Sequence, residues 1–208
     1  MSAAMNAAMS ATGKRPMRPC IAVVGDARLG PDDPRRALAQ SIGRMLVDAG
    51  CRLVTGGMGG VMEAAHKGAR SSPNWFDGAG IGILPGSDIG QANPFVDIAI
   101  PTGLDHARNS IVAHSAAVIA IGGGAGTLSE MALAWTYGRL VIGLQCGGSS
   151  ELLAGRRIDR RIRYPTLPDD QVFAAGSAQQ AMALLQRWLP EYNKVHTGIR
   201  AADSPAGA

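Results

Sequence analysis

At 208 residues the chain is long enough to bury a substantial core in one domain and short for two. Its 46% hydrophobic and 17% charged content is that of an ordinary globular protein, and its net charge of +4 is too modest to define a nucleic-acid binder. No apolar run approaches the roughly 20 residues of a membrane helix, and the nearest, IVAHSAAVIAIGGG, is interrupted by His114 and closed by glycines.

The opening MSAAMNAAMSATGKRPMRP is small and polar, with only Lys14, Arg15 and Arg18 charged, and reads as a disordered tail over 1–18 rather than a signal peptide. A single domain is expected over 19–190, followed by a flexible tail over 191–208. Strand-like runs then recur: CIAVVG, CRLVTGG, GIGILPG, FVDIAIP, AAVIAIGGG and RLVIGLQC. Continuous Val- and Ile-rich runs of this length are what parallel strands covered on both faces look like.

Between the first two runs, DDPRRALAQSIGRMLVDAG places Leu38, Ile42, Met45, Leu46 and Ala49 on one face of a helix. Asp33 is its predicted N-cap, Pro34 its first turn and Gly50 its stop. GGVMEAAHKGAR, LDHARNSIVAHSAA, GTLSEMALAWTYG and SAQQAMALLQRWL also read as helices. Alternation of this kind predicts an α/β fold, Rossmann-like and doubly wound, with a mostly parallel sheet and helices on both faces. Ligands of such folds bind beyond the carboxyl ends of the strands, where the glycines of this chain lie.

Two of those glycine turns echo each other. GGMGGVMEAA, with Gly56, Gly57, Gly59 and Gly60, aligns with GGAGTLSEMA, with Gly123, Gly124 and Gly126. Both follow a strand, open a helix and carry an early glutamate, Glu63 or Glu130. A helix start offers unpaired N–H groups and partial positive charge, and glycine lets an anion approach them, so the pair predicts a phosphate cradle with Thr127 adding a hydroxyl. The plainer reading is that tight strand-to-helix turns need glycine for geometry alone. For Glu130 the plainer reading is a capping box with Thr127, at T-x-x-E spacing.

Absences narrow the chemistry. There is no G-x-x-x-x-G-K-[ST], and the first strand-to-helix turn is GDARLG rather than a dinucleotide fingerprint. The only lysines are Lys14, Lys67 and Lys194, which leaves lysine-based covalent chemistry without support. His66, His106, His114 and His196 have no metal-ligand spacing, so no metal site is expected. Cys20, Cys51 and Cys146 are odd in number and far apart, which points to a reducing cytoplasm rather than a disulfide framework. The basic run GRRIDRRIR, with Arg156, Arg157, Arg160, Arg161 and Arg163, lacks an aromatic platform and reads as a solvated or subunit-facing loop rather than a nucleic-acid patch.

His106, Arg108 and Asn109 lie where the chain turns toward the second glycine turn, at the same predicted sheet edge. Arg108 there either grips a phosphate or pairs with Asp105 on the surface.

The set VTGGMGGVMEAAHKGA, GIGILPG, HARNSIV and GGGAGTLSEMALAW resembles the LONELY GUY (LOG) superfamily, most closely its molybdenum-cofactor carrier-like branch, over about residues 20–146. The resemblance implies a Rossmann-like homodimer. Hydrolase members split nucleoside 5′-monophosphates into free base and ribose 5-phosphate. Their P-G-G-x-G-T-x-x-E turn is matched by Gly123, Gly124, Gly126, Thr127 and Glu130, and the arginine of their M-H-x-R-K motif by Arg108. Gly122 replaces the proline, Asp105 the methionine and Asn109 the lysine.

The expectation is therefore a cytoplasmic binding protein for a phosphate-bearing small molecule, either a molybdenum cofactor or an AMP-like nucleotide. It requires no cofactor for catalysis and forms a homodimer or higher homo-oligomer. The alternative is a phosphoribohydrolase in which Glu130 stabilises the ribosyl cation and Arg108 assists the departing base.

Overall fold

The computed structural model describes residues 17–192. The bulk of the two expected tails, 1–16 and 193–208, lies outside the described residues. At the margins Arg18 sets its guanidinium 4.0 Å from the Phe76 ring centre, and Tyr192 is buried at the end of the last helix.

Seven strands, β1 (Cys20–Gly25), β2 (Arg52–Thr55), β3 (Gly80–Leu84), β4 (Ile98–Pro101), β5 (Ala117–Ile121), β6 (Leu140–Leu144) and β7 (Phe173–Ala175), form one sheet in the order β4-β3-β2-β1-β5-β6-β7. Every pairing is parallel. The helices are α1 (Pro34–Asp48), α2 (Val61–Arg70), α3 (Asn109–Ala113), α4 (Ala125–Thr136), α5 (Gly148–Leu153) and α6 (Ala178–Tyr192). This is the doubly wound α/β architecture that the strand-helix alternation predicts.

Side chains of β1 and β5 alternate between two buried clusters, one beneath α1, α2 and α6 and the other beneath α3 and α4. Both faces are therefore covered, which is why the strands read as unbroken apolar runs. Helix α1 starts and stops as its residues dictate: Asp33 accepts from the Arg35 N–H at 3.0 Å, Pro34 follows, and Gly50 takes φ 79° just past the end.

Two elements escape the sequence reading. Strand β7 is three residues at the sheet edge, and α5 is a six-residue helix after β6. Both are too short to show a period. The helix expected across LDHARNSIVAHSAA is instead a 3-10 turn, Asp105–Arg108, followed by the short α3.

Candidate functional site

The chain leaves β1 and β5 side by side, with Gly25 paired to Ile121, and its connections run outward from them in opposite directions. This is the switch point of the sheet, the place where doubly wound folds hold ligands. After β5, Gly122 and Gly123 take φ 63° and 88°, and α4 starts at Ala125. No side chain caps this start, and a Cβ at Gly124 or Gly126 would meet nothing within 4 Å. The first turn of α4 is therefore uncapped by side chains, has room beside Gly124 and Gly126, and carries the partial positive charge of a helix start. Thr127 is buried against Gly123 at the rim.

The second glycine turn is built differently, which corrects the expectation of two like openings. The Val61 N–H that starts α2 donates to the backbone oxygen of Asp26 at 2.9 Å. Gly60, at φ 62°, lies so close to Asp26 and Ala27 that a side chain there would collide with their backbone, and Gly59 packs on the Ala27 carbonyl. The Gly57 N–H goes to Thr55 Oγ1 at 2.9 Å. Here the loop after β1 closes the helix start, and glycine serves close packing. Gly56 serves another purpose: it faces the Arg108 guanidinium, where a side chain would collide.

Arg108 and Glu130 meet beside that glycine. Arg108 Nη1 donates to Glu130 Oε1 at 2.9 Å, and the two side chains are 10% and 8% exposed. Burial pushes the Glu130 carboxyl up to about 7 against the opposing pull of Arg108. Arg108 Nε is buried with no hydrogen-bond partner among the described residues. Neither plainer reading of these residues holds. Glu130 lies well inside α4, past the reach of a capping box, because the helix begins two residues before Thr127. Arg108 pairs with Glu130 rather than Asp105. Asn109 donates to Ser129 Oγ at 2.8 Å, tying the turn to α4, while His106 is exposed.

Three residues that the sequence reading passed over complete the edge. Asp26 Oδ2 accepts from the Gly123 N–H at 2.7 Å and from Arg35 Nη1 at 2.6 Å, while Arg35 also forks onto Asp33. Ser150 Oγ accepts from the Gly122 N–H at 2.8 Å. The available signal was the acid in GDARLG, directly after β1.

The basic run lies elsewhere and divides in two. The Arg163 side chain is buried, pairs with Asp170 at 2.5 Å, stacks 3.5 Å from the Trp135 ring centre and donates to the carbonyls of Trp135 and Arg139, just before β6. It is an internal anchor at the opposite edge of the sheet rather than part of a solvated loop. Arg161 pairs with Asp159 on the surface. Trp75 follows the far end of α2, under the Arg70 guanidinium at 4.9 Å, and anchors that loop.

Fold and site edge together define a Rossmann-like α/β protein of the LOG-like superfamily. The chain belongs to the SLOG cluster4 family, whose model matches residues 18–181. It is 42% identical to an uncharacterized protein of Archaeoglobus fulgidus over 116 residues, 55% of this chain and 73% of that one. Among solved structures it resembles the molybdenum cofactor binding protein of the phototrophic bacterium Rippkaea orientalis, with 34% identity, TM-score 0.66, and 82% and 97% of the two chains covered. It also resembles the molybdenum cofactor carrier protein of Chlamydomonas reinhardtii, with 30% identity, TM-score 0.66, and 83% and 99% covered.

Proposed function

We propose that the chain is a cytoplasmic carrier that binds a phosphate-bearing pterin, the molybdenum cofactor, or an AMP-like nucleotide at the start of α4. The observation that carries the reading is the uncapped, open first turn of α4 at the switch point, flanked by the buried Arg108. The backbone N–H groups of Gly124, Ala125, Gly126 and Thr127 would hold the phosphate, with the Thr127 hydroxyl at the rim. Gly56 admits the Arg108 guanidinium, whose Nε has no partner among the described residues. Because Glu130 neutralises Arg108, the pair would shape the site rather than react.

The relatives named as molybdenum cofactor binding or carrier proteins support the cofactor class. The three free cysteines suit a reducing compartment. Exposed Ile98 and Ile100 on edge strand β4 offer a face for a homodimer or higher homo-oligomer. Titration calorimetry against molybdopterin and AMP tests the reading, and heat from neither would end it.

Phosphoribohydrolase activity is the second reading. It draws on a buried carboxyl brought near neutrality beside an arginine, a pairing suited to stabilising a ribosyl cation and its leaving base. Adenine released from AMP by the wild type and lost in Glu130→Gln is the expected result. Release that survives the substitution would remove the claim.

A further inference from the structure

The turn that opens α4 departs from the hydrolase signature at its first position, where Gly122 stands in place of proline, and the structure supplies a reason. Gly122 takes φ 63°, which the proline ring forbids, and its N–H is used by Ser150 Oγ. A Cβ there would sit 2.6 Å from Asp26 Oδ2 and 2.7 Å from Arg35 Nη1. The bare backbone makes room for the Asp26–Arg35 pair.

Asp26 is held at three points. Its carbonyl takes the Val61 N–H, and its Oδ2 takes the Gly123 N–H and Arg35 Nη1. Both side-chain bonds fall on Oδ2. Oδ1 has no partner among the described residues, and the side chain is 30% exposed. A carboxylate oxygen accepts about two hydrogen bonds, so Oδ1 is a free acceptor in a fixed direction. A phosphate on the α4 amides would lie one or two residue lengths from Gly123, ~4–8 Å away. Arg35 is shared between Asp26 and Asp33, so the trio keeps a net negative charge beside the proposed anion. A hydrogen-bond donor on the ligand itself is what fits between two acceptors of like charge.

We infer that Asp26 determines specificity at the proposed site: its Oδ1 accepts a hydrogen bond from an N–H or O–H of the ligand body next to the phosphate. The inference rests on the phosphate-binding reading above and narrows its ligand class. Ring N–H groups of a pterin and the hydroxyls of a ribose both supply such a donor, whereas a phosphate ester without one is rejected.

Asp26→Asn is the discriminating change. Its amide oxygen can keep the Gly123 and Arg35 bonds while its NH₂ replaces the free acceptor with a donor at nearly constant volume. Calorimetry would compare wild type and variant against AMP, 2′,3′-dideoxy-AMP, 6-hydroxymethylpterin phosphate and inorganic phosphate. The expected result is a loss of about tenfold or more for the ligand whose donor is read, with inorganic phosphate held at least as well. A loss for AMP but not for dideoxy-AMP assigns a ribose hydroxyl, and a loss for the pterin assigns a ring N–H. Unchanged binding of both AMP and the pterin overturns the inference and leaves phosphate binding standing, as does wild-type binding of inorganic phosphate with no gain from either ligand body. Wild-type binding of none of the four ends the phosphate-binding reading, and the inference with it. Should Asp26→Asn fail to fold, Asp26→Ser removes the same oxygen and is read in the same way.

Discussion

Arg108 and Glu130, 22 residues apart in the chain, form a buried ion pair at 2.9 Å one turn inside α4. Removing the arginine strands a carboxyl that burial already disfavours in its charged form. Arg108→Met is expected to raise the Glu130 pKa further above about 7. Carboxyl-carbon NMR titration measures it, and an unchanged or lower midpoint would show that Arg108 does not hold the carboxyl down.

Glu130 also sets a pH slope on stability. Its carboxyl titrates at about 7 in the folded protein against an ordinary 4.5, so the folded state holds the extra proton and stability falls as pH rises between those values. His66 does the reverse. It is buried against Thr55 Oγ1 at 2.9 Å, with Nδ1 unpartnered among the described residues, and burial pushes it from 6.5 down to about 4. Only the unfolded chain binds its proton in that interval, so stability falls as pH drops. The two opposed slopes, each about 1.4 kcal/mol per pH unit, nearly cancel from pH 4.5 to 6.5. Glu130→Gln should expose the His66 slope, with the melting midpoint falling as pH is lowered across that window. A variant as flat as the wild type would contradict this balance.

Gly122→Pro, which restores the residue of the resembled motif, should be severely destabilising here. It demands a negative φ where the chain has 63°, deletes the N–H given to Ser150, and drives atoms into Asp26. A loss of about 3 kcal/mol or more is expected in denaturant unfolding. A near-neutral substitution would mean that the turn readily adopts another shape.

Gly126→Asp separates fold from ligand. Nothing lies within 4 Å of a Cβ at this position, and an acid in the first turn of α4 suits the helix dipole. Stability should hold or rise by about 0.5 kcal/mol. Phosphate-ligand affinity in calorimetry should fall at least about tenfold by charge repulsion at the proposed anion position. Undiminished binding would move the ligand away from α4.

Arg163→Ala addresses the basic run. The residue is paired with buried Asp170, which also accepts from the Tyr192 hydroxyl at 2.5 Å. Leaving that carboxylate unpaired should cost about 3–5 kcal/mol in thermal or denaturant unfolding. Arg160→Ala, on the exposed loop, should change little.

Much of the fold was legible in the residues. Strands β1, β2, β3, β5 and β6 announced themselves because both faces are largely buried, β4 only as an apolar run on an exposed edge, and α1 because Asp33, Pro34 and Gly50 mark its ends. Those signals are local, carried by neighbours along the chain. The two glycine turns were legible as strand-to-helix turns for the same reason, but their difference was not. Whether a helix start stays open depends on what another strand's loop does. Asp26 reaches Gly123 across 97 residues only because β1 and β5 are neighbours in the sheet. The loop after β1, the strand between β2 and β5 in the sheet, closes α2 and places a carboxylate at the turn that opens α4. Likewise, T-x-x-E spacing fits both a capping box and a buried ion pair. The packing of the 3-10 turn against α4 decided between them, since it delivers Arg108 to Glu130 out of water, where an unpaired charge is costly.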